Sequence, residues 1–373
     1  MKRTSKSTKF RNTLWILLAV MLFSSAQIHI AMPSLTLQST LSMRGSVNAV
    51  INPSTSDSFA LSIIGDDYLL YTNEDPEKVW LTDDIYSFAK IEKFTKWNCS
   101  AARLAFVFPN SPTGPDGKYT HSVYYPEKMN SVLDILGSVG VKGILCDFNV
   151  QDDLYDYYGS WNWVNNWKAI ALEFKGDNRV AAFQLANEPY QITWASEGPL
   201  GRINTRQKFM QVYGYLIDKI REIDPTRKIV YPTWFGMGLG YTTMQEWYNE
   251  LQIYGILNKE NIVYDILHPY YTENEYDMGM TPSEKVAWFK NNYIVPAVEL
   301  FGSQNVWIGE TFAWVGKTPL PGDQHLSTHD KQVQFLTEII NLCLDYNVNL
   351  QVWSYFGKQS WQDEALEASR YLK

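Results

Sequence analysis

Cysteine and histidine are both scarce in this sequence of 373 residues. Its three cysteines, Cys99, Cys146 and Cys343, lie in or beside apolar segments, which predicts buried thiols and excludes a disulfide scaffold. The five histidines are scattered, and neither a Cys-x-x-Cys nor a His-Glu-x-x-His pattern occurs. The sequence therefore predicts no transition-metal site, and we expect no cofactor.

A long apolar run is also missing. The best candidate, Leu14 to Phe23, is shorter than the about 20 residues that a membrane span needs. It follows a basic region and precedes the small residues Ser24-Ser25-Ala26, which is the layout of a secretory signal. We expect residues 1–26 to be a signal peptide or, if retained, an N-terminal membrane anchor, so that the rest of the chain is extracellular.

Positive charge is in deficit. The formal net charge is −8, and removal of the five basic residues of the leader, which has no acidic residue, leaves −13. An acidic surface argues against nucleic acid and anionic membranes as partners. Apart from a possible tether through the leader, we therefore expect no membrane partner, and we expect a monomer.

The sequence also lacks a nucleotide-binding first turn. The run Gly236-Met237-Gly238-Leu239-Gly240 resembles a dinucleotide fingerprint only loosely, because its third glycine is misplaced. We interpret it as a loop. The remaining pattern is a strand followed by a helix, eight times over.

That alternation predicts a parallel sheet, and eight units in one domain favour a (β/α)₈ barrel over an open sheet. We expect a linker or hairpin over residues 27–57 and one catalytic barrel over residues 58–373. The predicted strands are Phe59–Ile64, Ala102–Phe108, Val141–Asn149, Arg179–Asn187, Lys228–Pro232, Asn261–His268, Asn305–Glu310 and Asn349–Ser354.

Polar or aromatic side chains stand near the carboxyl ends of seven of these strands, where a barrel carries its active site. The side chains are Arg103, Asn149, Asn187 with Glu188, Trp234, His268 with Tyr270, Glu310 and Trp353. They recur at intervals of 34 to 46 residues, as one strand-helix unit per interval would give. Two carboxylates on one rim are what glycoside hydrolysis needs.

Five of these motifs carry a resemblance to a known family. Asn187-Glu188-Pro189, His268-Pro269-Tyr270, Ile308-Gly309-Glu310, Arg103 and Trp353 occur in order and at barrel spacing. In these motifs the chain resembles the retaining glycoside hydrolases of clan A, and most closely glycoside hydrolase family 5, the cellulase and β-mannanase family. The resemblance covers about residues 83 to 356. It departs at the third strand, where the family usually has a histidine and Asn149 is the nearest match.

The resemblance implies a role for each residue. Glu188 would be the general acid/base and Glu310 the nucleophile, with their carboxyl groups about 5–5.5 Å apart. Asn187 would bind the sugar 2-hydroxyl, and Arg103 and Tyr270 would bond Glu310. His268 would organise the site, and Trp353 would stack under the sugar. Trp234 is a further candidate to line the cleft.

High aromatic content, with 14 Trp, 24 Tyr and 17 Phe, suits a carbohydrate cleft. We therefore expect an exported retaining enzyme that acts on a β-1,4-linked polysaccharide or oligosaccharide, either a glucan or a mannan. Two alternatives stay open: an exo-acting β-glycosidase or β-mannosidase with the same carboxylates, and a carbohydrate-binding pseudo-enzyme.

Overall fold

A parallel sheet of eight strands forms the centre of the molecule, in the order β1-β10-β8-β6-β5-β4-β3-β2. The computed structural model describes residues 62–63, 99–109, 123–148, 160–187, 206–232, 243–271, 279–313, 328–352 and 360–372. The sheet strands are β1 (Ser62–Ile63), β2 (Ala101–Phe106), β3 (Lys142–Asp147), β4 (Val180–Gln184), β5 (Lys228–Tyr231), β6 (Ile262–Asp265), β8 (Val306–Ile308) and β10 (Asn349–Val352). The two end strands, β1 and β2, lie against each other. This confirms the predicted (β/α)₈ barrel.

Helices alternate with these strands. Their bounds are α1 (Pro126–Ser138), α2 (Trp161–Glu173), α3 (Arg206–Arg221), α4 (Met244–Ile253), α5 (Pro282–Phe289), α6 (Val295–Phe301), α7 (Thr328–Tyr346) and α8 (Ser360–Ala368). The helical spacing of Ile85, Phe88, Ile91, Phe94 and Trp97 also predicts a helix, which lies outside the described residues. Within the described part of the chain, no helix is long and apolar enough to cross a membrane.

The helix predicted over about 281–301 has an interruption. Thr281 and Glu284 form the expected capping box at its start, each side chain accepting the other's backbone N–H. A π-helical turn over Lys290–Ile294 then separates α5 from α6. Pro296 explains the turn, because it has no N–H to donate to the carbonyl four residues earlier. The N–H of Val295 donates instead to the Lys290 carbonyl, five residues back.

Two apolar layers hold the barrel together. The larger one lies between strands and helices and buries Trp163 and Trp167 fully, as the helical spacing predicted. The three cysteines are buried thiols that form no disulfide with one another. The smaller layer fills the barrel interior with the side chains of Ala101, Ile144, Ala182, Val230, Val263 and Trp307.

The polar site rests directly on the smaller layer. Because side chains alternate along a strand, the residue two positions on from a barrel-filling residue faces the same interior. For four of the six residues of the apolar layer, this step replaces a barrel-filling side chain with a polar group or a glycine. The steps lead from Ala101 to Arg103, from Ala182 to Gln184, from Val263 to Asp265 and from Trp307 to Gly309.

A second ladder lies beyond the sheet. Strands β7 (Tyr270–Tyr271) and β9 (Phe312–Ala313) pair in parallel, with Tyr270 opposite Phe312. The hydroxyl of Thr311 also donates to the Pro269 carbonyl at 2.8 Å. The chain segments that follow β6 and β8 are therefore tied together beside Glu310.

Candidate active site

Glu310 is a buried carboxylate at the end of β8, held from two sides. Its Oε1 accepts a hydrogen bond from Arg103 Nη2 at 2.5 Å, and its Oε2 accepts one from the Tyr270 hydroxyl at 2.8 Å. Both side chains of the ion pair are almost fully buried, at 0% and 5% exposed. Two bonds of this kind, one of them from an arginine, fix the carboxylate in place.

Arg103 connects Glu310 to Asn187. Its Nη1 donates to Asn187 Oδ1 at 3.1 Å and lies 3.5 Å from Gln184 Oε1. Its guanidinium carbon lies 5.1 Å from the centre of the Phe148 ring. Of the two interpretations open for an arginine in this strand, a solvated rim residue or a carboxylate partner, the structure shows the second.

The side-chain amide of Asn187 has a defined orientation. Its Oδ1 accepts from Arg103 and from Gln184 Nε2, the latter at 3.2 Å. Two donors on this atom identify it as the amide oxygen. Its buried Nδ2 then has no hydrogen-bond partner among the described residues. A buried unpaired donor beside a carboxylate is a group that a ligand oxygen can satisfy.

His268 forms the third side of the site. Its Nε2 lies 3.1 and 3.2 Å from the two carboxylate oxygens of Asp265, and its Nδ1 lies 3.2 Å from the Tyr270 hydroxyl oxygen. His268 therefore links Asp265 of β6 to Tyr270, whose hydroxyl in turn bonds Glu310.

Asp265 was not singled out in the sequence, although it organises this side of the site. It is buried at the end of β6, where it accepts the Gly309 N–H at 2.8 Å besides contacting His268. A Cβ atom at position 309 would lie 2.6 Å from Asp265 Oδ2, so the motif requires a glycine before Glu310. A charged residue inside an apolar strand, three positions before His268, was the available signal.

Asp147 supports Asn187 from behind. Its backbone carbonyl accepts the Asn187 N–H at 3.0 Å, and its side-chain Oδ2 accepts from Trp163 Nε1 at 3.2 Å. Burial raises the pKa of Asp147 well above its usual range, and the hydrogen bond from Trp163 opposes that shift only in part. The acid is therefore stabilised in its neutral form under the strand end, on the helix side of the sheet.

The structure brings together five of the predicted residues: Arg103, Asn187, His268, Tyr270 and Glu310. The other four, Asn149, Glu188, Trp234 and Trp353, lie outside the described residues, and so does the predicted separation of the two carboxyl groups. Their roles stay predictions. Gln184 was missed in the sequence because its position in β4 faces the barrel interior only once the strand register is known.

A (β/α)₈ barrel with a clamped carboxylate at the carboxyl ends of its strands has the architecture of the barrel glycosidases. A family comparison makes the class specific. The model of "Cellulase (glycosyl hydrolase family 5)" matches residues 71–311, well over half of the chain. The chain belongs to this family, as the sequence motifs indicated, and is a glycoside hydrolase. A comparison with curated proteins finds no match.

Solved structures share the fold at low sequence identity. A trimodular GH5_4 subfamily endoglucanase is 16% identical, with a TM-score of 0.56 over 84% of this chain, which spans only 60% of that one. Cel5A of Thermotoga maritima in complex with mannotriose is 12% identical, with a TM-score of 0.54 and 84% and 98% coverage of the two chains. The cellulose synthase subunit Z of Clostridioides difficile is 14% identical, with a TM-score of 0.53 and 83% and 99% coverage. At these identities the likeness concerns the fold.

Proposed function

We propose that this glycoside hydrolase is an exported monomer that cleaves a β-1,4-linked glucan or mannan within the chain and retains the anomeric configuration. The observation that carries the proposal is the buried Glu310 carboxylate, held by Arg103 and Tyr270 beside the unpaired amide nitrogen of Asn187. Among the structures with this fold, two are endoglucanases and one is a complex with mannotriose.

The first step forms a glycosyl-enzyme. Glu310 Oε attacks the anomeric carbon as the glycosidic bond breaks, and Glu188 gives its proton to the departing oxygen. Arg103 holds one oxygen of Glu310 and Tyr270 holds the other, so the nucleophile enters the reaction already oriented.

The second step releases the product. Glu188, now a carboxylate, takes a proton from water, whose oxygen attacks the same carbon and displaces Glu310. The two inversions together retain the configuration. The free Asn187 Nδ2 would donate to the sugar 2-hydroxyl in both steps, a contact that strengthens as positive charge develops at the neighbouring carbon.

Stereochemistry tests the mechanism directly. Proton NMR of the first products from a β-linked oligosaccharide should show the β-anomer before mutarotation. Early appearance of the α-anomer would rule out retention.

A nucleophile substitution tests the assignment of Glu310. The Glu310→Gln variant should lose hydrolysis by at least about 10³-fold and still bind oligosaccharide, because the amide keeps the shape but cannot attack. Glu222→Gln is the matched control, since that glutamate is exposed and paired only with Lys219 on the outer surface. Hydrolysis near the wild-type rate in Glu310→Gln would contradict the assignment of Glu310, whereas binding without hydrolysis by the wild type would favour the pseudo-enzyme alternative.

Substrate and mode of cleavage need a separate measurement. Reducing-sugar release from a panel of glucans, mannans and xylans identifies the polymer. A rapid fall in viscosity relative to reducing ends would show internal cleavage, whereas slow loss of viscosity with release of single sugars would establish the exo-acting alternative.

Export rests on the leader sequence. The basic region, the apolar run Leu14 to Phe23 and the site Ser24-Ser25-Ala26 support secretion with cleavage after the small residues. Fractionation of expressing cells, followed by N-terminal sequencing of the extracellular protein, should give a chain that starts near residue 27. A full-length chain in the membrane fraction would indicate the anchor instead, and a full-length chain in the cytoplasm would contradict export.

A further inference from the structure

A groove of about 490 Å³ lies on the outer wall of the barrel, between α4 and the continuous helical run from α5 to α6. Its lining includes Gln245, Trp288, Asn291, Asn292, Tyr293 and Glu299. The volume falls in the range of small-molecule sites, which is about 300–1,000 Å³. None of these residues takes part in the clamp around Glu310.

The lining combines aromatic rings with neutral amides. Trp288 is half-buried, and its ring lies edge-on to Tyr293 with 5.2 Å between the centroids. Gln245, Asn291 and Asn292 are exposed around it and supply both donors and acceptors. Glu299 adds one carboxylate acceptor. A flat apolar face beside neutral hydrogen-bonding groups matches a sugar ring, which has apolar C–H faces and a hydroxyl edge.

The π-helical turn explains how these groups come together. Residues Lys290–Ile294 form the turn, and the amides of Asn291 and Asn292 belong to it. Asn292 Nδ2 donates to the Trp288 backbone carbonyl at 2.7 Å, which fixes that side chain along the helix. π-helical insertions cost stability and occur frequently at functional sites. Here the insertion places two adjacent amides next to the one tryptophan of the groove.

The charge of the groove selects among ligand classes. Glu299 is the acidic group in the lining of the groove. The nearby Lys285 already contacts the Trp288 ring, with its Nζ 4.9 Å from the ring centroid. A phosphate or another anion would find little positive potential there. A neutral polyhydroxylated ligand needs none.

We propose that this groove is a second saccharide-binding site, separate from the catalytic rim, which takes a segment of the same β-linked polymer that the enzyme cleaves. The choice of ligand rests on the proposed function. The groove begins at the first residues of α4, which follows β5, and reaches Glu299 and Leu300 in α6, which leads into β8. It therefore runs along the outer wall of the barrel, and a chain bound there is held on the enzyme between cleavage events.

Binding to the uncleaving Glu310→Gln protein tests the proposal. Isothermal titration with cellohexaose and mannohexaose should give two sites for one of these ligands. Adding Trp288→Ala should weaken one site at least tenfold and leave the other, and adding Asn291→Ala should weaken the same site by a smaller factor. Asn291 is exposed, so its variant keeps the test valid if Trp288→Ala fails to fold.

Tyr346→Ala is the matched control. That ring is also half-buried and also has a lysine nearby, with Lys290 Nζ 5.6 Å from its centroid, but it does not line the groove. The control should keep two sites. With the Glu310 side chain intact, Trp288→Ala should lower the rate on insoluble polymer several-fold more than Tyr346→Ala does.

The outcomes separate the groove from the catalytic function. Hydrolysis of a polymer by the wild type, together with a single binding site in Glu310→Gln, would overturn the groove proposal alone. Two sites that neither Trp288→Ala nor Asn291→Ala alters would do the same. Absence of both hydrolysis and binding on every glucan and mannan would overturn the proposed function and, with it, the ligand assigned to the groove.

Discussion

Replacing Gly309 by alanine tests the link between β6 and Glu310, the proposed nucleophile. The added Cβ would lie 2.6 Å from Asp265 Oδ2 and 2.9 Å from Oδ1, whereas ordinary contact begins near 3.4 Å. Either Asp265 or the backbone before Glu310 must therefore move by about 0.8 Å, the difference between 3.4 and 2.6 Å. Asp265 is held by His268 and by the Gly309 N–H, so neither partner is free to give way alone.

The magnitude follows from two effects. A displacement of about 1 Å at a reacting group can cost about 10²-fold in rate. Loss of the charge-assisted bond from the Gly309 N–H to Asp265, at 2.8 Å, costs about 1.5–3 kcal/mol of stability. We expect Gly309→Ala to lower kcat by about 100-fold with a smaller change in KM, because the contact orients the nucleophile and does not bind the substrate.

The assay is steady-state hydrolysis of a soluble oligosaccharide, with unfolding in urea measured in parallel. Gly137→Ala, in α1, is the control, because the nearest described atom to a Cβ there is in the Arg179 side chain, at 3.8 Å, an ordinary contact distance. It should leave kcat unchanged and stabilise the helix slightly. A folded Gly309→Ala enzyme with kcat within about fivefold of the wild type, a barrier change of only about 1 kcal/mol, would refute the reasoning.

Three further substitutions probe the rest of the site and its support. Tyr270→Phe removes the 2.8 Å bond to Glu310 and should lower kcat/KM by about 10- to 100-fold, with circular dichroism unchanged. Asp147→Asn removes a carboxyl group whose pKa is raised by burial. As the pH rises above about 4, this group should lower the unfolding free energy of the wild type but not that of the variant. In urea titrations the variant should therefore gain stability relative to the wild type between about pH 4 and pH 7. Arg227→Met breaks a buried pair with Asp224 and should cost about 3–5 kcal/mol of stability while kcat measured below the melting temperature stays near wild type.

The strand-helix alternation made the barrel predictable from sequence. Each predicted sheet strand overlaps an observed one, because parallel strands buried on both faces read as short apolar runs between turn signals. Val141–Asn149 was predicted a little too long, since β3 ends at Asp147. The interrupted helix after Thr281 was not foreseen, because its apolar spacing stays close to helical through the π-helical turn.

Site residues that belong to a sequence motif were predictable. Site residues whose position depends on the register between strands were not. Asn187, Tyr270 and Glu310 follow strands in short recognisable motifs, and Arg103 is a charged residue within an apolar strand. Asp265 and Gln184 carry no motif, and their approach to the site depends on which face of the strand points inward, which pairing between strands decides. The β7–β9 ladder is two residues long on each side, too short to leave a pattern in the sequence.

The β7–β9 ladder also bears on how this enzyme can be redesigned. It closes at Tyr271, and the Tyr271 hydroxyl donates to the Met280 carbonyl at 3.2 Å, so both ends of the intervening stretch 272–278 are anchored to the barrel. Tyr270 precedes that stretch and Glu310 follows it. Sequences exchanged between Tyr271 and Met280 should therefore leave the hydrogen bonds on Glu310 intact, because both attachment points are held by the barrel.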